Sequence, residues 1–334
     1  MRHSALGALV AVGLLLPCHD ARPAEVAEIK LATQNGSNYL PLTVMERHNL
    51  IETHLAAKGL GASKVTWVRL AGPSAIIDGF LAGALHFSGQ GLPSTALIWD
   101  RTRGGIGARA VAAMESNNIW LNTRNPSIKS LRDFTEKDRI AMPSIKTSSQ
   151  ALFLWMAAEK EFGRGQWGKL DHLAISLPHP EAMAAVLNPM GEINAHAATS
   201  PYADIEKKAG LHSVTDQRAV AGGTVTGLNF VSTEKFRNEN PTSYAAVVAA
   251  YNEAMAWINA DKKRAAQLYL DASKEKMTLD EFYPILTAPD YSFDTTPHGV
   301  MISTDVMHRA GVIKTRPQSW KDLYFPEAHQ LPGD

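Results

Sequence analysis

The chain has 334 residues, 33 basic and 33 acidic side chains and a single cysteine, and 45% of it is hydrophobic. That length fits one large or two medium domains with substantial cores, because the buried share of the surface rises with chain size. Balanced charge supplies no net positive field to displace counterions from phosphates, which excludes a general nucleic-acid binder, and one cysteine excludes a disulfide framework.

The N-terminus reads as an export signal over residues 1–24. Arg2 and His3 precede an apolar run from Ala5 to Leu16, too short to span about 30 Å of hydrocarbon and typical of a signal-peptide core. Cleavage is expected after Ala21 or Ala24, which removes Arg2, Cys18 and Asp20 and leaves a nearly neutral chain without cysteine. Leu15-Leu16-Pro17-Cys18 loosely fits a lipoprotein signal. Pro17 is a poor residue before such a cut, so an ordinary periplasmic protein is favoured over one lipid-anchored through Cys18.

Strand and helix signals then alternate. Ile29 to Ala32 is an expected strand, Pro41 to His48 a helix, and Val65 to Leu70 an alternating strand. After the break at Gly72-Pro73-Ser74, a helix covers residues 75–81. Leu85 to Ser88 is the next strand, Gly89 to Pro93 an interruption, Ser94 to Arg101 a helix and Ala108 to Ala113 a strand. A second run of the same kind follows: strands at 119–121 and 139–142, a helix from Thr147 to Phe162 closed by Gly163, a strand at 173–176, a helix at 180–187 and a strand at 193–198. Such alternation implies parallel βαβ units. Leu228 to Ser232 is a last strand. Beyond it the chain reads as helix, with Asn240-Pro241 as a start signal and Thr278-Leu279-Asp280-Glu281 as a capping box.

Two α/β runs and a helical tail suggest two lobes, with crossings near 113–118 and 222–228. Open α/β sheets bind ligands beyond the carboxyl ends of their strands, so the loops after strands are the places to look. Here those loops are glycine- and hydroxyl-rich. Asn38, Tyr39, Ser74, Gln90 and Pro93 are the candidates on the first lobe, and Thr147, Ser148, Ser149 and Thr199 on the second, with Thr226 near a crossing. Thr147 is expected to cap its helix and leave the N–H groups of residues 148–150 free for an anion. Thr-x-x-Gln is equally a capping box with no ligand. Tyr39 follows a polar loop and can pack on a ligand, whereas Trp99, Trp155 and Trp257 fall at core spacing and Trp320 is expected to pin the tail.

Signals for enzymes are weak. Neither His-Glu-x-x-His nor Gly-x-Ser-x-Gly occurs, and Gly105-Ile106-Gly107-Ala108-Arg109-Ala110 precedes a strand instead of following one. His196 lies beside a candidate pocket loop. No cofactor and no metal site is expected, and no residue is given a catalytic role.

Several segments together resemble the solute-binding proteins of ABC importers, within the nitrate/sulfonate/taurine (NitT/TauT, NMT1/THI5-like) group. They are Gly72 to Gly83, Phe87-Ser88-Gly89-Gln90-Gly91-Leu92-Pro93-Ser94, Asn125 to Phe134 with its Ile128-Lys129-Ser130-Leu131, and Gly311 to Leu323. The resemblance implies a type II periplasmic-binding-protein fold: two α/β lobes, 25–115 with 228–334 and 116–227, joined by two crossovers around a ligand cleft. It further implies a monomer that captures a small anionic organic solute by hinge closure and delivers it to an inner-membrane ABC permease with its ATPase. Phe134-Thr135-Glu136-Lys137-Asp138 replaces the Leu-Lys-Gly-Lys common in the group, so a ligand is not carried over from its better-known members. An exported sensor using the same cleft is the alternative. A pyrimidine-synthase-like enzyme on this fold is disfavoured, because its chemistry involves a cysteine-rich motif.

Overall fold

The computed structural model describes residues 25–334 apart from Lys274. The expected leader, with Arg2 and Cys18, lies outside the described residues. The first lobe opens with β1 (Glu28–Thr33), α1 (Leu40–Arg47), α2 (Leu50–Ala57), β2 (Lys64–Arg69), α3 (Pro73–Leu81), β3 (Phe87–Gly91), α4 (Leu92–Thr102) and β4 (Ala108–Glu115). The chain then crosses and builds β5 (Trp120–Thr123), β6 (Ile140–Met142), α5 (Ser149–Phe162), β7 (Ala174–Ser176), α6 (His179–Leu187), β8 (Ala195–Ala198), α7 (Tyr202–Lys208), β9 (His212–Asp216) and α8 (Gln217–Ala221). It returns through residues 222–227 to β10 (Leu228–Thr233), α9 (Glu234–Glu239), α10 (Pro241–Ala260), α11 (Lys262–Ala272), α12 (Leu279–Leu286) and α13 (Val300–Arg309).

The two sheets have the same plan. Their orders are β2-β1-β3-β10-β4 and β7-β6-β8-β5-β9. In each, the fourth strand is the one that has just arrived from the other lobe, and it runs antiparallel to both neighbours. This corrects the all-parallel expectation, and the reason is geometric. The other strands run towards the inter-lobe side, so a chain that crosses there must enter the next sheet from that side and run away from it. Both sheets therefore aim their carboxyl ends, and the loops after them, at one shared cleft.

Helix cores explain the layers. One face of the first sheet packs on α1, α2 and α10, with Phe87 stacked on Phe230 at 5.3 Å and Phe230 on Tyr251 at 4.7 Å. Ile76, Phe80 and Ile98 of α3 and α4 cover the other face. The second sheet buries Leu121, Ile140 and Met142 with Phe153 and Leu154 of α5. The opposite side of α5 (Leu152, Trp155, Met156) shares a core with Leu92, Trp99, Met307 and Trp320 of the first lobe. Trp257 is only partly buried, under the Arg264 guanidinium at 4.1 Å. Tail and sheet meet through a bridge between Ala110 and Tyr324.

Local starts and stops differ in places from the sequence expectation. The Thr278 capping box is present, its hydroxyl and the Glu281 carboxylate each accepting a backbone N–H. Asn240 does not cap α10; its side chain accepts the Val26 N–H at 2.7 Å and ties the N-terminal segment down. The Gly89–Pro93 interruption is instead the end of β3, followed directly by α4 with Pro93 in its first turn. Gly89 and Gly91 are tolerated in this buried strand because other groups come close: a Cβ on Gly89 would lie 2.9 Å from the Tyr39 ring, and one on Gly91 2.8 Å from Ser149 Oγ.

Candidate ligand cleft between the lobes

The loops at the strand ends enclose a cavity of about 300 Å3. Lobe I contributes Gln34, Asn38, Tyr39, Gly91 and Glu115, and lobe II contributes Thr147, Ser148, Ser149, Gln150, His179 and Thr199. It adjoins a wider groove of about 1260 Å3 whose wall shares Gln34, Arg69 and Glu181.

Direct hydrogen bonds hold the lobes together on both sides of the cavity. Ser74 Oγ of α3 lies 3.1 Å from Ser144 Oγ and 3.2 Å from Thr147 Oγ1. On the other side Ser37 Oγ donates to the Ser200 carbonyl at 3.1 Å, Tyr202 donates to Glu275 at 2.6 Å, and Lys208 pairs with Glu281. Ser149 Oγ donates to the carbonyl of Gly227 in the second crossover at 3.2 Å. This is a closed arrangement.

The N-terminus of α5 forms one wall. Ser148, not Thr147, is the cap: its Oγ accepts the Ala151 N–H at 3.2 Å and donates to the Ser144 carbonyl. The helix starts at Ser149, two residues later than expected, because Thr147 is drawn into a hydroxyl pair with Ser144 at 2.6 Å. Ser148 N–H is spent on the Ser144 carbonyl, so the free donors of the first turn are those of residues 149 and 150, which no helical carbonyl can reach. Both residues line the cavity, which places the partial positive charge of the helix start at it.

Behind that wall runs a buried chain of side chains. Glu206 of α7 is 0% exposed and accepts from Asn122 Nδ2 at 2.9 Å and from His196 Nδ1 at 2.5 Å. His196 Nε2 meets His179 Nδ1 at 2.9 Å, and His179 Nε2 receives Gln150 Nε2 at 3.2 Å. The Glu206 carboxylate fixes the tautomers: His196 carries its proton on Nδ1, its Nε2 accepts from His179 Nδ1–H, and His179 Nε2 accepts from the wall residues Gln150 and Thr199, the latter at 3.3 Å. Burial, with His196 adding to it, pushes the His179 pKa well below the ordinary 6.5. His179 therefore stays neutral, and its ring stacks on Tyr202 at 5.2 Å.

Lobe I presents a different chemistry. Glu115 ends β4, is 0% exposed, and neither of its carboxylate oxygens makes a hydrogen bond. Burial raises its pKa well above the ordinary 4.5, opposed only by the nearby Leu228 backbone N–H, which approaches without reaching hydrogen-bond geometry. Tyr39 is buried beside it, its hydroxyl accepting from Gln34 Nε2 at 2.6 Å, and desolvation with the nearby Glu115 raises the phenol pKa. Arg69, the one Lys or Arg on the cavity wall among the described residues, turns to Asn35 at 3.4 Å and Glu46 at 3.9 Å.

Of the sequence candidates, Asn38, Tyr39, Thr147, Ser148, Ser149 and Thr199 come together on the cavity wall. Four others do not reach it. Ser74 is committed to the inter-lobe hydroxyl cluster. Gln90 pairs with Asn229, whose side chain meets Thr95 and Tyr324 on the α4 side of the sheet, so Gln90 points to that face and away from the cleft. Pro93 is packed in the first turn of α4. Thr226 is fully buried and accepts the His298 N–H at 2.8 Å, which braces the second crossover. Glu115 and His179 are wall residues that the sequence reading missed, and Gln150 was read only for its backbone N–H. A lone acid closing the apolar strand Ala108–Glu115, at an expected crossing, was the available signal for the first.

The order 2-1-3-n-4 in both sheets, with two crossovers and the cavity between them, decides the architecture. The chain has the type II periplasmic-binding-protein fold. No family model matches the chain, and no curated protein matches its sequence. Solved structures do match in shape. The alkanesulfonate-binding protein SsuA from Xanthomonas axonopodis pv. citri, solved with MOPS bound, superposes with a TM-score of 0.67 at 15% identity, covering 88% of this chain and 96% of its own. The aliphatic sulphonate-binding protein SsuA from Escherichia coli gives 0.63 at 17% identity over 89% and 99%. The nitrate-binding protein NrtA from Synechocystis PCC 6803 gives 0.63 at 13% identity over 92% and 86%. Among the described residues no helix is long and apolar enough to cross a membrane.

Proposed function

We propose that this is the exported solute-binding component of an ABC importer, which closes its two lobes, 25–115 with 228–334 and 116–227, on one small solute and presents it to a membrane permease. The observation that carries this reading is the cavity itself, walled by strand ends of both lobes and shut by hydrogen bonds between them. Its volume lies at the low end of ligand pockets, about 300–1,000 Å3, which suits a metabolite-sized solute. Solute that touches both walls binds the closed state better than the open one, and that difference in affinity drives closure. The shape likeness to sulfonate- and nitrate-binding proteins supports the same reading.

We assign solute contact to Asn38, Tyr39, Thr147, Ser148, Ser149 and Thr199, with an acid group of the solute at the start of α5. Ser74 serves closure, and Gln90, Pro93 and Thr226 hold the wall in place. Thermal denaturation against small sulfonates, carboxylates and nitrate tests the reading: a binder raises the melting temperature in proportion to the logarithm of its concentration. Flat melting curves across the panel, with nothing bound after gentle purification, would remove it.

A further inference from the structure

Where the two crossovers converge on the cavity, polar groups are left without partners. Both oxygens of Glu115 are unpaired, and so is Nδ2 of Asn117, which lines the same cavity and is 5% exposed. A buried carboxyl in this state is costly in either form. Ionised and unpaired, it carries a desolvation penalty of several kcal/mol; neutral, its O–H goes without an acceptor. The backbone nonetheless makes room for it. A Cβ on Gly227 would lie 2.2 Å from Glu115 Oε1, so glycine in the second crossover is what allows the carboxyl to occupy this place.

No cation of the protein answers it, since Arg69 is engaged with Asn35 and Glu46, and Glu181 adds a second acid to the wall. A wall with two acids and one diverted arginine is complementary to hydrogen-bond donors. We propose that Glu115 recognises an N–H-bearing nitrogen on the solute, an ammonium, amidine or aminoheterocycle, so that the solute is not a bare oxyanion. This rests on the cleft being the solute site and adds the second pole to the acid group placed at α5.

In the empty protein burial raises the Glu115 pKa, so the carboxyl holds its proton to a higher pH than an exposed one. A cationic nitrogen forces it to ionise, so the O–H bond breaks, the electron pair stays on the carboxylate and one proton leaves to the buffer. Binding is then tighter at higher pH, until the nitrogen itself deprotonates.

The test pairs nitrogen-bearing acids with their nitrogen-free counterparts: β-alanine against propionate, 2-aminoethanesulfonate against ethanesulfonate, with guanidinoacetate and 4-aminopyrimidine as further probes. Calorimetry in buffers of different ionisation heat counts protons. We expect binding only from nitrogen-bearing compounds, with net release of up to one proton, and at least a 100-fold loss in Glu115→Gln. Melting of ligand-free Glu115→Gln should match or exceed the wild type, which separates a lost contact from a lost fold. Nitrogen-free acids that bind equally well to wild type and Glu115→Gln would overturn the assignment while leaving the solute-binding reading intact. Binding of a cationic compound with no proton released, at a pH where the ligand-free carboxyl is protonated, would also overturn it, because Glu115 would then keep its proton and donate to the solute. If nothing in the panel binds and no compound co-purifies, the solute-binding reading itself fails.

Discussion

Among the described residues two glutamates are 0% exposed, and their surroundings are opposites. Glu206 in lobe II has a donor on each oxygen, and its neighbours are satisfied in turn: Asn122 accepts from Ser213 at 2.7 Å, and His196 passes the chain on to His179. Glu115 at the edge of lobe I has no hydrogen bond and lines the cavity. Burial alone therefore does not distinguish a structural acid from a functional one; the completeness of its hydrogen bonds does. A satisfied network rigidifies one wall, while the unsatisfied group waits for a partner from outside.

The contrast is sharpest in stability. Replacing Glu206 by Ala strands His196 and Asn122 in a dry interior and should cost about 3–5 kcal/mol in chemical denaturation, the usual result of breaking a buried pair. Glu115→Gln should cost nothing. Equal losses at the two positions would erase the distinction. Gly227→Ala comes next. It drives a methyl into Glu115 Oε1 and should destabilise by about 1–3 kcal/mol, as overpacking does, and Glu115→Ala in the same chain should relieve most of that cost.

pH separates the two walls by the sign of the slope. Glu115 has a raised pKa, so the folded state holds its proton more tightly than the unfolded chain. Its contribution is greatest below the unfolded value near 4.5 and is lost as pH rises towards the folded value. His179 has a lowered pKa, so its contribution is present above 6.5 and is lost as pH falls towards the folded value. In ligand-free protein, Glu115→Gln should flatten the alkaline-going decline and His179→Gln the acid-going one, read as melting temperature against pH. The smallest effect is at the cap: Ser148→Ala should cost about 1 kcal/mol, and Thr147→Ala less, since Thr147 does not cap.

Most strands and the lobe plan were legible in the sequence, because apolar runs between glycine-rich breaks mark strands that are buried on both faces. α2 went unread, as did the α7, β9 and α8 stretch. Tyr202–Lys208 is under two turns and half charged, and His212–Asp216 has a single apolar residue, Val214, so neither shows a clean period. The antiparallel strands could not be read from pattern at all, since direction depends on where the chain crosses between lobes. The α5 start was misplaced because Thr147 and Ser148 are equivalent cap residues in sequence, and a contact with Ser144 decides between them. Among site residues, hydroxyls near strand ends were recognisable. Glu115 and the His179 chain were not, because what matters in them is a partner, missing or present, supplied by distant segments such as Gly227 and α7.

One measurement tests the central claim most directly: mass spectrometry of the compound released from protein purified gently from its own cells, grown on ordinary and on 15N nitrogen. A single small compound is expected, its mass higher by at least one unit in the labelled preparation, and it should be missing from Glu115→Gln. A bound compound of unchanged mass, or one retained equally by the variant, would contradict it.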